Sequence, residues 1–126
     1  MAIRQEIILI VDDDQDVLDV TISELRAIGY RAHGTTSTAD ALAIIRVLQV
    51  DLLCADIVMP ETDGRAFAQR ARQLQPDLKV LYMTGFIHIA RAAERDGASW
   101  PLLLKPWRSR QLEVAIRGML YGPSPV

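Results

Sequence analysis

Segments with apolar residues three and four apart alternate with shorter, more continuous apolar runs from one end of the chain to the other, without an internal repeat. Residues 7–11, 30–33, 52–56, 78–83 and 102–104 read as strands. After the first of these, Val17, Leu18, Thr21, Ile22, Leu25 and Ile28 form one helical stripe predicted to be buried, and Gly29 is placed to end that helix. Ser37-Thr38-Ala39-Asp40 has the form of a loose capping box and opens a second helix that buries Leu42, Ile45 and Leu48. Met59-Pro60-Glu61-Thr62-Asp63-Gly64 is loop chemistry. A third helix follows from about residue 65, burying Phe67, Ala71 and Leu74 until Pro76 stops it. Residues 87–96 read as a short Ala-rich helix with few large anchors, ended by Gly97, and Leu112, Ile116, Met119 and Leu120 mark the buried face of a last helix. One domain over residues 1–121 is expected, with 122–126 as a tail or the start of a linker.

Five strands, each followed by a helix, imply a parallel sheet, because a parallel pair needs a crossover and a right-handed crossover is built most simply from a helix. The expected fold class is therefore α/β, a doubly wound sheet covered by helices on both faces. The flavodoxin-like strand order 2-1-3-4-5 is taken from known sheets of this kind and not from the pattern; it puts the ligand site beyond the carboxyl ends of the first and third strands.

Those two strand ends are where the pattern of polar residues departs from the ordinary. Asp12-Asp13-Asp14 directly follows the first run, and Asp56 ends the third. Carboxylates brought that close repel one another and raise each other's pKa, so the cluster is stable mainly with a cation bound. All the donors are hard oxygens with no His or Cys nearby, which suits Mg²⁺ over zinc or copper. Two more polar residues end strands: Thr84 after the fourth and Lys105 after the fifth.

Composition narrows the function by exclusion. A net charge of −2 on 126 residues gives no electrostatic footprint for DNA or RNA. The longest apolar runs fall far short of the ~20 residues that span a bilayer, and Met1-Ala2-Ile3-Arg4-Gln5-Glu6 has no signal-peptide form, so a cytoplasmic location without a membrane partner is expected. The single cysteine, Cys54, lies inside an apolar run and reads as a small buried hydrophobe. Two lysines, Lys79 and Lys105, stand against twelve arginines.

Taken in order, Val11-Asp12-Asp13-Asp14, Asp56-Ile57-Val58-Met59-Pro60, Asp63-Gly64, Thr84-Gly85 and Lys105-Pro106 resemble the receiver domain of two-component response regulators, over essentially the whole chain. Each motif is short; five of them at strand ends, in order, are specific. The resemblance implies that Asp56 is the phosphoacceptor, taking a phosphoryl group from a histidine of a histidine kinase or histidine phosphotransfer protein. Asp13, Asp56 and the backbone carbonyl of Val58 would then bind Mg²⁺, with Asp12 holding a metal-bound water. Lys105 would supply a second positive charge, and Thr84 a hydroxyl for the phosphoryl group. A cis Lys105–Pro106 peptide is expected. Asp14, Glu61 and Asp63 read as cap or loop residues, and His33 and His88 as ordinary core or surface histidines.

This sequence departs from the family pattern near the fifth strand. The position three before the lysine, where the family usually has an aromatic switch residue, is Leu102, and the segment Gly97-Ala98-Ser99-Trp100-Pro101-Leu102 is one residue longer than usual, so Trp100 does not simply replace it. Leu102, a weak fourth helix and Lys79-Val80-Leu81-Tyr82-Met83-Thr84-Gly85-Phe86 resemble receivers attached to hybrid histidine kinases. Val58 and Phe86, two residues past Asp56 and Thr84, flank the path of hydrolytic water and imply slow loss of phosphate. No separate turnover reaction is expected. One alternative is a Mg²⁺-dependent phosphohydrolase, which would need an Asp where Val58 stands; another is a receiver-like interaction module that takes no phosphate. The exposed faces of the last two helices suit a homodimer and a different partner equally.

Overall fold

A computed structural model describes residues 5–95 and 101–122, with the backbone alone at Glu94. The expectations concerning Asp96, Gly97, Trp100, the extra residue before Leu102 and the tail beyond Gly122 lie outside the described residues. In chain order the elements are β1 (Ile7–Val11), α1 (Gln15–Ala27), β2 (Arg31–Thr35), α2 (Thr38–Val47), β3 (Leu52–Asp56), α3 (Gly64–Leu74), β4 (Lys79–Thr84), α4 (Ile87–Arg95), β5 (Leu102–Leu104) and α5 (Ser109–Tyr121). The strands form one parallel sheet in the order β2-β1-β3-β4-β5. This is the doubly wound α/β fold that the alternation of runs and stripes implies, with the flavodoxin-like strand order expected from known sheets of this kind.

Successive strand side chains point to opposite faces, so β1 serves two cores. Leu9 and Val11 pack with Leu53, Ala55, Val80 and Tyr82 beneath α2 and α3, while Ile8 and Ile10 pack with Leu52, Cys54, Leu81 and Met83 beneath α1 and α5. β3 lies at the centre and is buried at all five positions, as a strand covered on both faces must be. Phe67 is among the largest fully buried side chains; truncating such a residue to Ala costs about 3–5 kcal/mol in transfer and cavity terms. The Cys54 thiol is pushed up to about 12 by burial alone and is inert. Among the described residues, no helix is long and apolar enough to cross a membrane.

Local chemistry sets the element boundaries. Asp14 caps α1 by accepting from the amides of Asp16 and Val17, Ser37 caps α2 from Asp40, and Asp63 caps α3 from Arg65. At the end of α1, Gly29 adopts φ +102° and its N–H donates to Arg26 O while Tyr30 N–H donates to Leu25 O, the paired bonds of a Schellman stop. That stop corrects the second strand: Tyr30 spends its amide on the helix, and the strand begins at Arg31 and extends to Thr35. Two predicted core residues are also corrected. Ile28 is 42% exposed and Leu74 39%; Ile28 is the capping residue that follows α1 and Leu74 the last residue of α3. Val17, Ile22, Leu48, Met119 and Leu120 are half-buried. Gln75 links α3 back to the turn before β3, its side chain accepting from Val50 N–H and donating to Ile45 O and Leu48 O.

Candidate functional site

Parallel register along the sheet brings the carboxyl ends of β1, β3, β4 and β5 to one edge, and Asp12, Asp13, Asp56, Thr84 and Lys105 with them. One carboxylate oxygen from each of Asp12, Asp13 and Asp56 lies within 4.8 Å of the others. Asp12 is fully buried and Asp56 nearly so, while Asp13 is exposed. The three therefore face different surroundings although two are adjacent in sequence.

Each buried carboxylate is held at both oxygens. Asp12 Oδ1 accepts from Asp14 N–H at 2.9 Å and its Oδ2 from Lys105 Nζ at 2.5 Å. Asp56 Oδ1 accepts from Val58 N–H at 3.0 Å and its Oδ2 from Lys105 Nζ at 2.8 Å. The ammonium thus bridges two carboxylates from different strands. Its own position follows from β5: Lys105 N–H donates to Thr84 O at 2.7 Å, and the peptide to Pro106 is cis, as expected.

One ammonium among three carboxylates leaves a surplus of negative charge. Burial raises the Asp56 carboxyl above its ordinary value; the hydrogen bond and charge of Lys105 and the Val58 amide act against that, and the charge of Asp12 adds to it. For Lys105 burial works to lower the pKa, but hydrogen bonds and charges from Asp12 and Asp56 outweigh it and the ammonium is held more firmly than usual. The cluster is short of positive charge by the equivalent of a divalent cation. Its donors are all carboxylate oxygens, so the residues present fit Mg²⁺.

Thr84 is fully buried, and its Oγ1 accepts from Phe86 N–H at 3.1 Å. A hydroxyl that accepts still has its own proton to donate. Phe86 is 48% exposed and meets His88 edge to face, the ring centroids 5.7 Å apart. Val58 is 40% exposed and forms an isolated bridge with Asp63. Leu102 is half-buried and pairs with Tyr82.

The residues read as bystanders put no side chain into the carboxylate cluster. Asp14 and Asp63 are helix caps, and Asp63 also pairs with Arg65 at 3.0 Å, which lowers its carboxyl pKa. Glu61 is exposed and accepts from Thr38 Oγ1. His33 is half-buried with no partner for Nε2, and His88 is exposed. Two relationships were missed in the sequence pattern: Lys105 closing on Asp12 as well as Asp56, and the packing of Gly64 against the main chain of Asp56. Only a glycine as the first residue of α3 hinted at the second.

The sequence model of the response regulator receiver domain matches residues 8–117. The response regulator receiver protein CpdR of Brucella abortus is 35% identical over 114 residues, covering 90% of this chain and 95% of CpdR. The sensor kinase CckA of the same organism is 32% identical over 116 residues, 90% of this chain but 12% of the kinase. Among solved structures, a CheY-like response regulator receiver domain protein from Methanospirillum hungatei superposes with a TM-score of 0.80 at 29% identity, over 94% of this chain and 95% of that one. With the fold, the strand-end residues and a family match across the sheet in agreement, this chain belongs to the receiver domains of two-component response regulators.

Proposed function

We propose that Asp56 accepts a phosphoryl group from a phosphohistidine of a histidine kinase or histidine phosphotransfer protein, in a Mg²⁺-dependent reaction in the cytoplasm. A carboxylate oxygen of Asp56 forms the new O–P bond as the P–N bond to the imidazole breaks, and the imidazole nitrogen keeps the electron pair and is then protonated. Asp13, Asp56 and the Val58 carbonyl would hold the metal, with Asp12 acting through a water. Bound Mg²⁺ supplies neutralisation of the acidic cluster and of the phosphoryl oxygens.

The observation that carries this reading is the Lys105 ammonium shared between Asp12 and Asp56 in a cluster that still lacks positive charge. Lys105 fixes the Asp56 carboxylate for attack and can turn to a phosphoryl oxygen once one is attached. Thr84 has a proton free to donate to another such oxygen. A phosphoryl group carries close to two negative charges, so both residues gain a strong acceptor, and the β4–α4 and β5–α5 loops they belong to shift with them. The match within a sensor kinase supports a partner or parent chain of the kinase class.

The test compares the wild type with Asp56→Asn after incubation with Mg²⁺ and acetyl phosphate or beryllofluoride. Stoichiometric, Mg²⁺-dependent modification of the wild type alone supports the reading. Continuous turnover would instead indicate a phosphohydrolase, and no modification an interaction module.

A further inference from the structure

Gly64 is the first residue of α3, is buried, and stands against the strand that ends in Asp56. Its backbone is not in the left-handed region, so conformation does not explain a glycine here. Space does. A methyl group at this position would overlap the carbonyl oxygen of Asp56 and lie 2.8 Å from its carbonyl carbon and 2.9 Å from Ile57 Cα. All three are main-chain atoms and none can swing aside as a side chain would.

The same contact closes a loop. Gly64 N–H donates to Ile57 O at 2.8 Å, and Val58 bridges to Asp63 just inside that bond. Val58 N–H in turn holds Asp56 Oδ1. The orientation of the Asp56 carboxylate, and the place of the Val58 carbonyl, therefore follow from how closely the start of α3 approaches β3.

We infer that Gly64 is a positioning residue for the acidic site: the missing side chain lets α3 seat on the Asp56 main chain and fixes the Asp56–Val58 geometry that the metal and the phosphoryl group need. This rests on the phosphoacceptor reading of Asp56. Adding a side chain would lift α3, open the Ile57–Gly64 bond and carry Val58 away from Asp56. The loss would fall on the site more than on the fold.

The test uses the full chain with three variants: Gly64→Ala, insertion of one Gly between Thr62 and Asp63, and Ala71→Gly as a control. The insertion loosens the loop without adding a side chain, and the control weakens the interior of the same helix away from the loop. NMR reads the Val58 amide before and during a Mg²⁺ titration, and mass spectrometry reads Asp56 labelling by acetyl phosphate. Expected are a displaced Val58 amide before any Mg²⁺ is added and a loss of affinity of about tenfold or more in the first two variants, with the control within about twofold of wild type. Wild-type affinity in either folded loop variant, or an equal loss in the control, overturns the assignment; if Gly64→Ala does not fold, the insertion decides. A wild type that binds Mg²⁺ but is never labelled overturns the phosphoacceptor reading alone. A labelled wild type matched by Gly64→Ala overturns the role of Gly64 alone.

Discussion

Lys105 Nζ lies 2.5 Å from Asp12 Oδ2, and Asp12 is completely buried. The lysine is therefore a structural counterion of the residue that follows the first strand as well as a contact of Asp56. Lys105→Ala should lower stability without Mg²⁺ by about 1–3 kcal/mol, the usual cost of leaving a buried polar group unpaired, and Mg²⁺ should restore more stability to this variant than to wild type. Phosphorylation by acetyl phosphate should nevertheless slow. Thermal melts with and without Mg²⁺, beside labelling rates, check both parts; an unchanged melt would remove Lys105 from the structural role.

Asp56→Asn should raise stability at neutral pH in the absence of Mg²⁺. The folded-state carboxyl pKa of Asp56 is raised above its ordinary 3.8, chiefly by burial, so ionisation at this site opposes folding. The penalty is absent below the unfolded pKa, grows as pH rises through the interval up to the folded pKa, and is complete above it. The variant should thus melt a few degrees higher near pH 7 and converge on wild type in acid. Saturating Mg²⁺ should reverse the order by stabilising wild type alone.

Asp13 and Asp14 are adjacent, exposed and chemically identical, yet only Asp13 belongs to the carboxylate cluster. Asp13→Asn should weaken Mg²⁺ binding by about tenfold or more with little effect on the metal-free melt. Asp14→Ala should keep its Mg²⁺ affinity and lose about 1 kcal/mol, the cost of the α1 cap. Calorimetric titration with Mg²⁺ distinguishes them; equal affinities in the two variants would contradict the ligand assignment.

Val58 and Phe86, two residues past Asp56 and Thr84, present exposed apolar side chains. On the phosphoacceptor reading of Asp56, water that releases inorganic phosphate by attack at phosphorus would approach past these two side chains. The phosphorylated protein should persist for minutes or longer, and Val58→Gly or Phe86→Ala should shorten that lifetime several-fold. Decay of the wild type within seconds, measured after removal of the phosphodonor, would count against the apolar screen.

Most of the architecture is legible in the sequence. Period-two and period-3.6 burial are written into local sequence, so the strands, the helices and the Asp14, Ser37 and Asp63 caps fall where the pattern puts them. The misplaced parts sit at element ends. Tyr30 belongs to the stop of α1 because a Schellman turn takes its amide, and Ile28 and Leu74 continue their apolar stripes but fall at helix ends, where they are exposed.

The sequence alone determined the alternation that makes a doubly wound sheet and the identities of the groups at its strand ends: hard oxygen donors, one hydroxyl and one lysine. Only the tertiary structure decided how those groups share charge. Lys105 is 93 positions from Asp12 and 49 from Asp56, yet bonds to both. Which of three adjacent aspartates is buried, which is exposed in the cluster and which caps a helix depends on how the chain turns after β1. That Gly64 must have no side chain depends on how closely α3 seats on β3. A local pattern records the face a segment buries; it carries no information about sheet register or loop closure, and those set the distances between side chains that meet from different strands.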